Sequence, residues 1–401
     1  MNNNFIKLLI FFFISFFLLT PILIIFFQGL YSINNVNELY APRYIFGSSK
    51  LIFLVSLVVL LISIPLAWVN TMTNFWGRKF IQIFCILPLG VPAYISAYAY
   101  AEILEPGGYL SIYFSSFYGF SIRNTFFASI ILGLSLFPYV YLLTRIAIIN
   151  FSARFIEAAK TMGKTPWQCF FKICLPMAIP GIAAGLALAL METINDFGVA
   201  DFFGLQTLTI GVFQYISVIN DLPSAFSLSL IILIIMLLLY IFEQKIRGDK
   251  KFNNSSYESI QWSRYQLSKG KTIVVFSLSF LPILFGFFVP LLFNFLIFIN
   301  NYEIIDYSNY LSSLYNSIIL GSLVGFFCIL VSIFINFYSR FSKNKKFLYY
   351  KKIINLGYAV PGVVIALGVL IFIKYINQFS YYTILATLIG LILALIIRLI
   401  S

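Results

Sequence analysis

Glu192 and Asp196 stand four residues apart, so a helix through them carries both carboxylates on one face. Carboxylate oxygens in that arrangement suit a hard cation, and acids at the edge of an apolar stretch are functional candidates. The competing reading is structural, with Glu192 hydrogen-bonded inside a bundle and Asp196 meeting headgroups or water. A second candidate, Gly163-Lys164-Thr165, ends like a phosphate-cradling G-x-x-x-x-G-K-T loop. That loop needs glycine at position 158, where Ala158 stands, and a strand before it, so nucleotide binding there is excluded. Histidine is absent, which removes the usual general base and the commonest metal ligand. Cys85, Cys169, Cys174 and Cys328 have no C-x-x-C spacing, and neither zinc nor a disulfide is expected. No catalytic residue, cofactor site or resident metal site is predicted, and an enzyme is not expected.

The elements that must position those carboxylates are apolar. Hydrophobic residues make up 61% of the 401 positions and charged ones 10%, too little polar surface for a soluble domain of this length. Runs near the ~20 residues that cross a bilayer occur at about 6–27, 50–70, 80–102, 124–144, 177–195, 225–242, 272–299, 314–337, 353–376 and 383–400. Ten spans are predicted. Period-2 alternation is absent, so helices rather than a barrel must satisfy the backbone in lipid, and the fold class expected is an all-α polytopic membrane protein. The first run lacks a small-x-small cleavage site and reads as an uncleaved helix bent at Pro21. The net charge of +13 is topological rather than a nucleic-acid footprint. With the N-terminus in the cytoplasm, 22 of 26 Lys and Arg lie inside, and only Arg43, Lys50, Arg123 and Lys374 lie outside. The expected surroundings are the lipid of a cell inner membrane, with no nucleic acid.

Glu157 to Pro176, EAAKTMGKTPWQCFFKICLP, is the one long polar excursion in the first half. Ser152 to Met162 reads as a short helix ended by Gly163 in the left-handed conformation. Thr165, Pro166 and Gln168 form a capping-box start for a second helix, which Pro176 marks off from the apolar run after it. The spacing E-A-A-x(3)-G-x(9)-I-x-L-P resembles, through Glu157, Ala158, Ala159, Gly163, Ile173, Leu175 and Pro176, the cytoplasmic EAA loop of importer-type ABC transporter permeases. The resemblance implies the type I permease fold, and a loop over 152–176 that couples to a separate ATP-binding subunit. It also implies a periplasmic substrate-binding protein as partner. An amphipathic loop packing on its own bundle is the alternative.

Two prolines and a glycine, Pro88-Leu-Gly-Val-Pro92, break the third span and free carbonyls, which makes Pro92 a pathway candidate. Gly357-Tyr-Ala-Val-Pro361-Gly362 echoes it at an offset of 269 residues, giving Pro361 the same status. At that offset Phe46–Asn70 falls on Tyr315–Ser339, and with a shorter external loop Gly133 matches Gly390 and Arg145 matches Arg398. The expected organisation is a first permease repeat over 1–244, a polar cytoplasmic linker over 245–271, and a second repeat over 272–401. That second copy stops three residues after Arg398, before a second EAA loop, so a truncated product or fragment of a longer chain is expected.

The run Glu192 to Ile216 is similar to the iron(III) branch of these permeases at Glu192, Asp196, Phe197, Gly198, Phe203, Gly204, Gln206, Thr207 and Gly211. Ferric iron is the substrate this implies; thiamine, sulfate, phosphonate and polyamine permeases are relatives of the branch. A secondary transporter driven by an ion gradient is the alternative class, since it too uses repeats and broken helices. Such a transporter needs charge at the bilayer midplane. Glu192, about 16 residues beyond Pro176, lies about 24 Å into a core of ~30 Å, toward the outer mouth.

Overall fold

In the computed structural model, described for residues 2–33, 41–114, 121–247, 264–304, 306–341, 357, 360–377 and 383–400, the chain is helical almost throughout. Helices α1 (Asn2–Tyr31), α2 (Ala41–Met72), α3 (Arg78–Phe84), α4 (Ala93–Leu104) and α5 (Tyr109–Tyr113) lead to the 37-residue α6 (Thr125–Thr161). Next come α7 (Pro166–Cys169), α8 (Leu175–Asn195), α9 (Gly198–Phe202), α10 (Leu208–Ser217) and α11 (Leu222–Arg247). The last are α12 (Lys269–Ile283), α13 (Val289–Asn301), α14 (Tyr307–Phe341), α15 (Gly362–Asn377) and α16 (Thr383–Leu399). Among the described residues six helices are long and apolar enough to cross a membrane, and a seventh span is counted if the bent pair Arg78–Gly90 with Ala93–Tyr113 is one. Each of the ten predicted runs falls, where described, on a helix or on that pair. The fold is an all-α polytopic one.

The break in the third span is where the prolines predict it. Leu87–Gly90 is a 3-10 turn, Pro92 precedes the first residue of α4, and the two arms meet at 92°. Val91 N–H donates to the Pro88 carbonyl at 3.3 Å, and Ser96 N–H to that of Pro92 at 3.4 Å. The same two bonds recur 269 residues on, from Val360 to Gly357 at 3.2 Å and from Ile365 to Pro361 at 3.0 Å. Pro21, by contrast, sits inside α1 without ending it.

Two expectations are corrected. The helix predicted over 152–162 is not a separate element: it is the last three turns of α6, since nothing between Pro138 and Thr161 interrupts the hydrogen-bond ladder. Nor does Pro176 divide a loop helix from a span. Phe170–Cys174 is a π-helical turn in which Leu175 N–H reaches back five residues to the Phe170 carbonyl, and Pro166 to Asn195 runs as one 30-residue span. Wide turns let a helix pass proline, whose nitrogen cannot donate. Leu284–Phe288, between Pro282 and Pro290, does the same in the α12–α13 span.

The chain forms two compact units. One comprises Met1–Ile45, Thr207–Leu237 and Asn301–Ser401; the other comprises Phe46–Gln206 and Leu238–Asn300. In the first, α15 packs against α1 and α16. In the second, the dominant packing is α6 against α8. Gly181 and Gly185 permit it: a Cβ on Gly181 would lie 2.6 Å from the Leu143 carbonyl oxygen, and one on Gly185 2.6 Å from the Val140 Cα. This close approach of small residues is the usual means of packing helices in lipid. Ser63 crosses to donate to the Phe137 carbonyl at 2.8 Å. The linker predicted over 245–271 is described only in part: α11 continues to Arg247, and Tyr265–Gln266 (β2) pairs in parallel with Thr73–Asn74 (β1).

Candidate functional site

The loop over 157–176 is an α-α connection held by two textured ends. At the first, Gly163 N–H donates to the Lys160 carbonyl and Lys164 N–H to that of Ala159, both at 3.0 Å, the pair of bonds of a Schellman cap. Gly163 has φ +74°, the conformation glycine adopts without a Cβ penalty. At the second, the Thr165 hydroxyl accepts from Gln168 N–H at 3.3 Å while the Gln168 side chain accepts from Thr165 N–H at 3.1 Å, the capping box expected. Pro166 takes the first helical position. The turn is therefore fixed by its own backbone and caps.

Of the seven residues that carry the resemblance, Ala159 is buried and Glu157, Ile173 and Leu175 are half-buried, whereas Ala158, Gly163 and Pro176 are exposed. Ala158, Ala159, Ile173 and Pro176 line one shallow groove of about 400 Å³ with Phe155, Met162 and Met177. Met162 is 75% exposed and Trp167 70%, and Trp167 stacks on Phe171 with 6.0 Å between centroids. Small and large apolar residues, with Lys164, Gln168 and Lys172 also lining the groove, fit a docking surface. Sequence reasoning passed over Phe155, Met162, Trp167 and Phe171; the signal was Trp167 and Phe171 at helical spacing in an otherwise polar stretch. Behind the loop, Lys160 places its ammonium 4.2 Å from the centre of the Tyr265 ring. Burial pushes the Tyr265 phenol up to about 12, which keeps it neutral as a platform for the cation.

The pathway candidates separate into three places. Asp196 Oδ2 accepts from Val199 N–H at 3.0 Å and Ala200 N–H at 3.3 Å, so one carboxylate oxygen caps α9. In turn α9 packs against α4, the helix that starts after Pro92. A pocket of about 210 Å³ lies there, lined by Tyr94, Ile95, Tyr98, Gly198, Phe202 and Asn294. Asn294 donates to the Pro290 carbonyl at 2.8 Å and the Ile95 carbonyl at 3.4 Å, and Tyr100 donates to the Phe285 carbonyl, so polar side chains answer carbonyls at the broken and π-helical turns. Glu192 is half-buried one turn before Asp196 on α8, and Pro361 precedes α15 in the other compact unit. Sequence reasoning missed Asn195, between the two acids: it is 9% exposed, and neither amide atom has a partner among the described residues. No group of three or more acids, cysteines or histidines able to hold a metal occurs among the described residues.

A broken span and a capped loop with small residues thus lie on an all-helical fold with membrane-length helices. Residues 59–248, just under half of the chain, are similar to the family described as the binding-protein-dependent transport system inner membrane component. The chain is 28% identical to the molybdenum transport system permease protein ModB of Haemophilus influenzae over 39% of its own length and 71% of the relative's. It is 24% identical to the Fe(3+)-transport system permease protein FbpB 2 of the same organism, over 86% of this chain and 67% of the relative. It is 29% identical to the spermidine/putrescine permease PotB of that organism over 51% and 79%.

Proposed function

We propose that this chain carries ferric iron across a cell inner membrane, receiving it from an external binding protein and driven by ATP hydrolysis in separate subunits that dock on the loop around Ala158 and Gly163. The observation that carries the coupling is the exposed groove of Ala158, Ala159, Ile173 and Pro176 at a turn that needs no partner to hold it. In support of iron, the similarity to the Fe(3+) permease extends over 86% of the chain, where that to the molybdenum permease extends over 39%. The recurrence of the proline turn at 269 residues supports two permease repeats joined by a cytoplasmic linker, with the N-terminus cytoplasmic by the charge bias.

An oxyanion substrate is the second reading, favoured by the 28% identity to the molybdenum permease. Uptake of radioactive ferric iron, molybdate and spermidine, in cells with and without the chain, separates these. Loss of iron uptake alone is expected. Loss of molybdate or spermidine uptake instead contradicts the iron assignment and leaves the permease; unchanged uptake of all three contradicts both readings.

A further inference from the structure

Three guanidiniums gather in the unit that bears the loop. Arg78 opens α3, Arg145 lies on α6 twelve residues before Glu157, and Arg264 immediately precedes β2. Arg264 and Arg145 both repel Arg78. Among the described residues none of the three has an acidic partner; the ion pair present, Arg123 with Glu105, involves none of them. The Nε atoms of Arg145 and Arg264 are buried without a hydrogen-bond acceptor.

The surroundings make the same demand. Asn70 is fully buried, and its amide meets the buried Tyr141 hydroxyl, itself beside the Cys85 thiol, without a well-formed hydrogen bond among the described residues. Asn70 and Tyr141 are neighbours, and Tyr141 feels the charge of Arg145 and acts on Arg78. The site is built rather than incidental. Gln82 donates to the Asn70 carbonyl at 3.0 Å, fixing the end of α2, and the parallel pairing of Thr73 with Tyr265 holds the segment that brings in Arg264. Buried donors without acceptors cost about 1–3 kcal/mol each. The three arginines are half-buried, and like charges gathered there repel unless an anion joins them.

We propose that Asn70, Arg78, Arg145 and Arg264 form a binding site for a phosphate group, which ties the loop-bearing α6 to the ends of α2 and α3. Guanidinium forks match phosphate oxygens bidentately, and the Asn70 amide supplies a further donor. The phosphate comes from an anionic lipid headgroup or from solution. This inference does not rest on the transport assignment, and its test measures no transport.

The purified chain in neutral detergent is titrated with phosphatidylglycerol, phosphatidylcholine and inorganic phosphate, reading bound mass by native mass spectrometry and the thermal unfolding midpoint. One phosphatidylglycerol per chain should be retained and raise the midpoint, with no such effect of phosphatidylcholine. A rise with inorganic phosphate as well identifies the phosphate group itself as the ligand; a rise with phosphatidylglycerol alone assigns it to the lipid. Arg264→Gln, in an extended segment that removes no helix, should lose the bound anion, whereas Lys79→Gln, an exposed cation beside Arg78, should keep it. Asn70→Asp supplies the missing acid, so it should abolish anion binding and raise the midpoint of the lipid-free protein. Equal effects of the two lipids and none of phosphate, or wild-type binding by Arg264→Gln, would overturn the site.

Discussion

Asp196 has one oxygen committed to the N-terminus of α9, and this makes its role separable from its packing. Asn caps a helix about as well as Asp, while Ala forfeits about 1 kcal/mol. Asp196→Asn should therefore leave the thermal midpoint near wild type, and Asp196→Ala should lower it. If the carboxylate also meets a passing cation, both variants lose uptake; uptake by Asp196→Asn equal to wild type would leave only the cap. At Gly163 no atom lies within 4 Å of a built Cβ, so Gly163→Ala costs the left-handed strain alone, about 1 kcal/mol. A modest fall in the midpoint is expected, where a buried clash would give a large one. Gly163 and the Thr165–Gln168 box were legible in the sequence because local backbone chemistry decides them. Asn195 was not, since only tertiary packing tells a buried amide from an exposed one.

The elements that flank the loop, α6 and α8, pack closely on each other. Gly181→Leu would press a side chain against the Leu143 carbonyl and the Ala147 methyl, and overpacking of this kind costs about 1–3 kcal/mol. The variant should melt earlier and lose uptake, while Ile179→Leu, at an exposed position on the same helix, should do neither. Sequence reading divided this pair too finely, at Ser152 and at Pro176. A proline and a polar run look like breaks in the sequence. In the fold, a π-helical turn absorbs the missing N–H of Pro176, and polar residues 152–161 simply extend a span beyond the apolar zone. The break at Pro88–Pro92 matches the sequence because its prolines stand only four residues apart, within about one turn, whereas Pro282 and Pro290 are eight apart and leave room for a widened turn between them.

For the molecule as a whole, the helical class followed from apolar run length alone, because a backbone in lipid has few ways to satisfy itself; the ten spans expected did not, since six of the described helices, or seven with the bent pair, are long and apolar enough to cross. The proposed cytoplasmic N-terminus rests on the charge bias and makes a direct prediction. A cysteine placed at Trp167 should react with a membrane-impermeant maleimide in inverted vesicles and not in intact cells. The central claim is that an ATP-hydrolysing subunit docks on the Ala158 groove. Ala158 is exposed, so Ala158→Arg should insert and fold with a stability change within about 0.5 kcal/mol, yet exclude a closely apposed partner. The decisive measurement is recovery of an ATPase subunit with the tagged chain after mild detergent extraction, wild type against Ala158→Arg. The account predicts that the subunit accompanies the wild-type chain and is lost from the variant, together with uptake. Equal recovery and undiminished uptake with Ala158→Arg would contradict it.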